Sequence, residues 1–257
     1  ADDTSVTEVF TYDANTTDAA LRVTVTDDAP SAVSRTVQVS EDQVPSYRLV
    51  LVLDVSGSMD TASAGGQVRQ VNADGSITIT TRLDLARQAL AQLVEEYYNQ
   101  AQNVSITLIT FASSATVVNA TPYTTKDAAI AAILTADGSG GTNYSSALSA
   151  VQTSFGAVNP AVRNAVYFIS DGAPSEGDLT TPATSTGYAA WVSSNNIDSY
   201  AVGVGTGIAN TGPLNGIHNV DANGNGTSDG AIIVPDLNDL GAALLSLFLN
   251  VGLEPGF

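Results

Sequence analysis

Apolar positions along this chain fall into two kinds of pattern that take turns. Residues 49–53 (Leu-Val-Leu-Val-Leu) form an unbroken aliphatic run with no polar alternation, which reads as a strand buried on both faces. Residues 165–170 repeat that character, and 104–111, 197–204 and the short 232–234 read as further strands, with a short polar one near 115–118. Between them the spacing turns helical. Over residues 82–98, Leu83, Ala86, Leu90, Leu93 and Tyr97 recur on one stripe, read as a core-facing stripe. Helices are also predicted over 125–134, over 143–155 with Leu148 and Val151 inward, over 183–194, and over the apolar stretch 237–249. Alternation of strand and helix predicts an α/β fold around a right-handed, mostly parallel sheet.

Two stretches depart from that rhythm. In residues 1–45, segments 21–26 and 34–40 alternate β-branched and polar residues around a turn signal at 27–30, the period of half-exposed strands. This part is expected to be a β-strand extension or linker from a preceding domain, with an added hairpin of the α/β domain as the alternative. The α/β domain itself is expected over 46–257. An insertion near 60–80 reads as a hairpin, 66–71 and 77–80, around the turn Asn72-Ala73-Asp74-Gly75.

Where the run 49–53 stops, Asp54, Ser56 and Ser58 appear at alternate positions. A turn that aims one carboxylate and two hydroxyls at a point offers hard oxygen ligands of the kind magnesium, manganese and calcium prefer. The same residue types also cap helices and close turns. Two later segments favour the metal. Gly140-Gly141-Thr142 is a glycine-rich loop before a predicted helix, and Asp171 ends the strand 165–170. In a parallel α/β sheet the carboxyl ends of neighbouring strands open onto one ligand-binding crevice, and Asp54 and Asp171 both stand at such ends.

With these residues in view, the chain resembles a von Willebrand factor A domain with a complete metal-ion-dependent adhesion site (MIDAS): Asp54, Ser56 and Ser58, then Thr142, then Asp171. The resemblance runs from about residue 48 to about 249. It implies a doubly wound sheet with helices on both faces. It also implies a divalent cation (Mg2+, Ca2+ or Mn2+) ligated by Ser56 and Ser58, by Thr142 directly or through water, and by Asp54 and Asp171 largely through water. The partner implied is a protein, peptide or glycan that supplies a carboxylate. Thr- and Asp-rich leading strands are similar to linkers in very large bacterial surface adhesins, so the expected setting is a secreted, cell-surface adhesin of the RTX type, with this segment a monomeric module of a longer chain. The opening Ala1-Asp2-Asp3 fits a piece of such a chain. Two rivals share the motif: a calcium-stiffened structural module with no ligand of its own, and an intracellular partner of an ATPase. In some relatives the last helix moves on ligand binding.

Charge and composition narrow the field. The 257 residues carry 26 Asp and Glu against 8 Lys and Arg, a formal charge of -18. So few cations leave no basic patch for phosphates, and nucleic acid is not an expected partner. A hydrophobic content of 44% supports a sizeable core. With no cysteine, disulfides and thiolate sites are excluded. No apolar run is long enough for membrane insertion.

A second oxygen-rich constellation lies in the Asn/Gly-rich loop near 207–230. Asp221, Asn223, Asn225, Thr227 and Asp229 follow the opening of an EF-hand loop and mark a possible additional Ca2+ site, although Ile232 stands where the bidentate Glu belongs. Asp236 is near enough to replace it, and an ordinary surface loop is the alternative. The one histidine, His218, is expected to be a surface or loop residue, with no nucleophile beside it from which to build a triad. Asp60, Asp84, Glu95 and Glu96 read as a loop acid and solvated helix acids, and no phosphate loop is present. The chain is therefore not expected to be an enzyme.

Overall fold

A computed structural model of the chain describes residues 8–11, 22–25, 45–60, 67–71, 74, 76–177, 187–208 and 210–252. Its contacts divide it into two units, Ala1–Val44 and Pro45–Phe257. In the first, β1 (Glu8–Thr11) pairs antiparallel with β2 (Arg22–Val25), Glu8 opposite Val25. Residues 22–25 of the alternating segment are thus a strand, paired with one that precedes it in the chain. The predicted strand 34–40 and the turn 27–30 lie outside the described residues.

The second unit is built on a six-stranded sheet. Its strands are β3 (Ser46–Asp54), β6 (Asn103–Phe111), β7 (Ala115–Val117), β8 (Arg163–Ser170), β9 (Ile197–Val204) and β10 (Ile232–Val234). They lie in the order β10-β9-β8-β3-β6-β7, all parallel except β7, which pairs antiparallel with β6 at the edge. β3 sits between β6 and β8, with Asp54 opposite Phe111 and Leu53 opposite Ile169. The chain therefore winds outward from β3 in one direction, then crosses back to wind in the other. That reversal opens the crevice at the carboxyl ends of β3, β6 and β8.

Both faces of β3 are covered, which is why its sequence does not alternate. Leu49, Leu51 and Leu53 join one core with α2 (Arg82–Gln100), α3 (Lys126–Leu134) and α7 (Leu240–Gly252). Val50 and Val52 join a second core with α4 (Tyr144–Phe155), α5 (Tyr188–Ser194) and the short α6 (Gly212–Asn215). The predicted stripe of α2 is wholly buried, from Leu83 to Tyr97. Thr81 caps that helix by accepting from the Asp84 amide at 3.0 Å, and Asn143 caps α4 by accepting from Ser146 at 3.0 Å.

The insertion forms the predicted hairpin, β4 (Gln67–Val71) against β5 (Ile77–Thr81). Of its predicted turn, Asn72, Ala73 and Gly75 lie outside the described residues. A four-residue helix, α1 (Gly57–Asp60), separates it from β3. Other boundaries moved for local reasons. Gly187 has φ +65°, a left-handed conformation that cannot continue a helix, so α5 starts after it. Residues 183–186 of the predicted helix lie outside the described ones. At the last helix, Asp236 accepts from the Asn238 amide and turns residues Leu237–Asp239 into a 3-10 segment before α7 begins.

Candidate functional site

The first loop is organised by Asp54, whose side chain is fully buried at the end of β3. One carboxylate oxygen accepts from the Ser56 amide at 2.8 Å and the other from the Ser170 hydroxyl at 2.5 Å. This bends the chain so that Ser56 and Ser58 face the same point: their hydroxyl oxygens are 3.1 Å apart. The Ser58 hydroxyl then donates to Asp171 Oδ1 at 2.7 Å. On its other oxygen Asp171 receives Arg82 Nη1 at 2.5 Å, and the same nitrogen reaches the Ser58 carbonyl at 3.3 Å.

The second loop is fastened to both others. The Gly57 amide donates to the Gly140 carbonyl at 3.1 Å. The Thr142 carbonyl accepts from the amides of Ser175 and Glu176 at 2.9 and 3.2 Å, while its own amide donates to the Ser175 hydroxyl at 2.9 Å. Gly141 lets the Glu176 carboxylate lie against the second loop, where a Cβ at 141 would displace it; that carboxylate accepts from Ser113 Oγ at 3.0 Å. Thr142 is buried, and its hydroxyl makes no hydrogen bond with the described residues. Tyr144, at the start of α4, donates to the Gly172 carbonyl at 2.5 Å and so ties α4 to the third loop.

The three segments singled out in the sequence therefore meet at one crest of the sheet. Ser170, Ser175, Ser113 and Arg82 were not among the residues that the sequence pointed to. Ser170 was within reach, being a polar residue at the end of a buried strand, next to Asp171. Arg82 gave no signal, since an inserted hairpin separates it from the first loop.

Burial pushes the Asp54 carboxyl up to about 7, against the lowering effect of hydrogen bonds from Ser170 and Ser56; the nearby Asp171 adds to the rise. Burial also raises the Tyr144 phenol well above its ordinary range. A cation beside this carboxylate would offset the cost of its desolvation. The oxygens suit a small one. Ligands around an octahedral ion of magnesium size stand about 3 Å from one another, and the Ser56–Ser58 and Ser58–Asp171 separations are 3.1 and 2.7 Å. Among the described residues no three His, Cys, Asp or Glu side chains cluster as a metal group; hydroxyls would have to supply part of any donor set at this crest.

The loop 221–229 also gathers its oxygens. Asp221 accepts from the amides of Asn225 and Gly226, Asn225 from both the amide and the hydroxyl of Thr227, and Asp229 from the Ala222 amide and the Asn223 side chain. All of these are exposed. Ile232, at the closing position, is a β10 residue opposite Val202, and Asp236 is engaged in capping Asn238. His218 lies in a loop, as expected, but it is buried rather than on the surface. Its Nδ1 accepts from the Ala201 amide at 3.2 Å, its ring meets Tyr200 edge-on, and desolvation lowers its pKa.

Residues 49–173 match the family model described as von Willebrand factor type A domain. Solved structures sharing the fold include proximal thread matrix protein 1 from the mussel byssus with a zinc-occupied MIDAS motif. That protein is 15% identical, with a TM-score of 0.59, over 81% of this chain and 46% of that one. The pilus adhesin SpaC from Lactobacillus rhamnosus GG is 16% identical, with a TM-score of 0.58, over 82% and 31%. A von Willebrand factor type A protein from Catenulispora acidiphila is 15% identical, with a TM-score of 0.56, over 88% and 43%. The chain spans less than half the length of each of these three proteins. No curated protein sequence matches it. Among the described residues no helix is long and apolar enough to cross a membrane.

Proposed function

We propose that this domain is a non-enzymatic, metal-ion-dependent adhesion module that captures a protein, peptide or glycan through a carboxylate. The observation that carries the reading is the convergence of Asp54, Ser56, Ser58, Thr142 and Asp171 from three loops onto one crest of the sheet. These five residues would hold Mg2+, Ca2+ or Mn2+, and such an ion, when bound, supplies an electrophilic position for an oxygen anion. Hydrolysis is not supported: the serine hydroxyls bond each other and Asp171, and His218 is buried with its Nδ1 occupied by a main-chain amide. The setting we propose is a secreted, surface-attached protein, in keeping with the pilus adhesin and the byssus protein that share the fold.

The test is capture of the immobilised domain by carboxymethyl-dextran in Mg2+ and in EDTA, with plain dextran alongside. Capture is expected only with carboxyl groups and Mg2+, and Asp54→Ala is expected to abolish it in a folded protein. Undiminished capture by that variant contradicts the reading. The inward-turned oxygens of the 221–229 loop favour a second reading, calcium used for stiffness. A calcium-induced rise in melting temperature with no capture of any carboxyl surface would decide for it.

A further inference from the structure

The loaded site faces an electrostatic difficulty that its own residues address. The chain has a formal charge of -18, so a carboxylate approaching it is repelled over much of the surface. At the crest, two carboxylates, Asp54 and Asp171, would cancel a divalent cation and leave nothing to attract an anion. Arg82 changes that sum. Its Nη1 is held between Asp171 Oδ2 at 2.5 Å and the Ser58 carbonyl at 3.3 Å. Nε and Nη2 make no hydrogen bond with the described residues, and the side chain is 19% exposed. The other acid beside Thr142, Glu176, accepts from the Ser113 hydroxyl and keeps its negative charge, which the Arg82 cation helps to offset.

We propose that Arg82 is a specificity-determining residue of the ligand site. It holds the Asp171 carboxylate in place and adds one positive charge to the cation-loaded site, which favours an anionic ligand in an otherwise acidic chain. This rests on the metal-dependent reading above. The same charge opposes the cation, so Arg82 gives up some cation affinity in exchange for anion affinity. The two properties move in opposite directions when the charge is removed, which a merely structural arginine would not produce.

Calorimetric titration of Mn2+ into the wild-type domain, Arg82→Gln and Arg82→Lys measures the first property. Paramagnetic broadening of the acetate methyl resonance by each Mn2+-loaded protein measures the second. Circular dichroism melts in EDTA establish that the variants are folded. Arg82→Gln is expected to bind Mn2+ roughly five- to tenfold more tightly and acetate at least about fivefold more weakly, as like and opposite charges a few ångströms apart require. Arg82→Lys, which keeps the charge, is expected to stay near wild type in both. Unchanged or weaker Mn2+ binding by Arg82→Gln, or acetate binding that does not fall, overturns the assignment. A wild-type domain that binds no Mn2+ overturns the metal-dependent reading as well.

Discussion

Ser58 and Asp171 are 113 positions apart in the chain, yet the hydroxyl of the first donates to the carboxylate of the second at 2.7 Å. That bond joins the loop after β3 to the loop after β8, neighbouring strands whose carboxyl ends open on the same side. It is one of the contacts that bring three separate loops to one crest.

Replacing Ser58 with Ala tests whether the pair serves a ligand more than the fold. In EDTA the loss of its two partly buried hydrogen bonds, with Ser56 and Asp171, is expected to cost about 1–3 kcal/mol. In excess Mg2+ the wild-type protein gains stability by binding, about 2.7 kcal/mol at a hundredfold excess over Kd. Ser58→Ala is expected to lose most of that gain. Thermal melts with and without Mg2+ measure both, and an equal Mg2+ shift in the two proteins would count against the site.

His218 makes a prediction about pH. The ring is buried, and its desolvation makes the folded protein favour the neutral form, so its pKa lies below the ordinary 6.5. Asp229, the charged group acting on it, pulls the other way and is outweighed by desolvation. The unfolded chain therefore takes up the proton first as pH falls. The contribution is full above about 6.5 and is lost as pH drops from there through the folded pKa. His218→Asn keeps an acceptor near the Nδ1 position and cannot titrate. The difference in unfolding free energy between wild type and variant, measured in urea from pH 7.5 to 5, is expected to shift against the wild type as pH falls. A difference that does not vary with pH contradicts this.

The core carries a polar pair that should behave non-additively. Tyr97 on α2 and Tyr167 on β8 are fully buried, with their hydroxyls 2.7 Å apart. Tyr97→Phe leaves the Tyr167 hydroxyl without its partner and is expected to cost about 1–3 kcal/mol. Removing both hydroxyls strands neither, so the double variant is expected to be less destabilised than the sum of the singles. Chemical denaturation of the four proteins checks this, and simple additivity would show that the pair does not act as a unit.

How much could be read in advance depended on how local each signal was. The buried strands β3 and β8 announced themselves as aliphatic runs, and the acids that follow them, Asp54 and Asp171, needed only the rule that parallel strands open on a common edge. Thr142 was legible from the glycines before it. Arg82 was not, because it reaches Asp171 only through the return of the chain from the β4–β5 hairpin, and no spacing encodes that return. His218 reads as a loop residue in sequence, yet its loop folds back onto β9, where the Ala201 amide receives its ring. The partner of β2 was missed for a similar reason: strand pairing is decided in space, and β1 carries only four residues of weak alternation.

The central claim is that the crest formed by Ser56, Ser58, Thr142, Asp54 and Asp171 binds a divalent cation. Crystals grown with MnCl2 and recorded near the manganese absorption edge test it most directly. The account predicts an anomalous peak within about 2.0–2.3 Å of the Ser56 and Ser58 hydroxyl oxygens, absent in Asp54→Ala crystals. An empty crest in abundant Mn2+, with the loops folded as described, would contradict it.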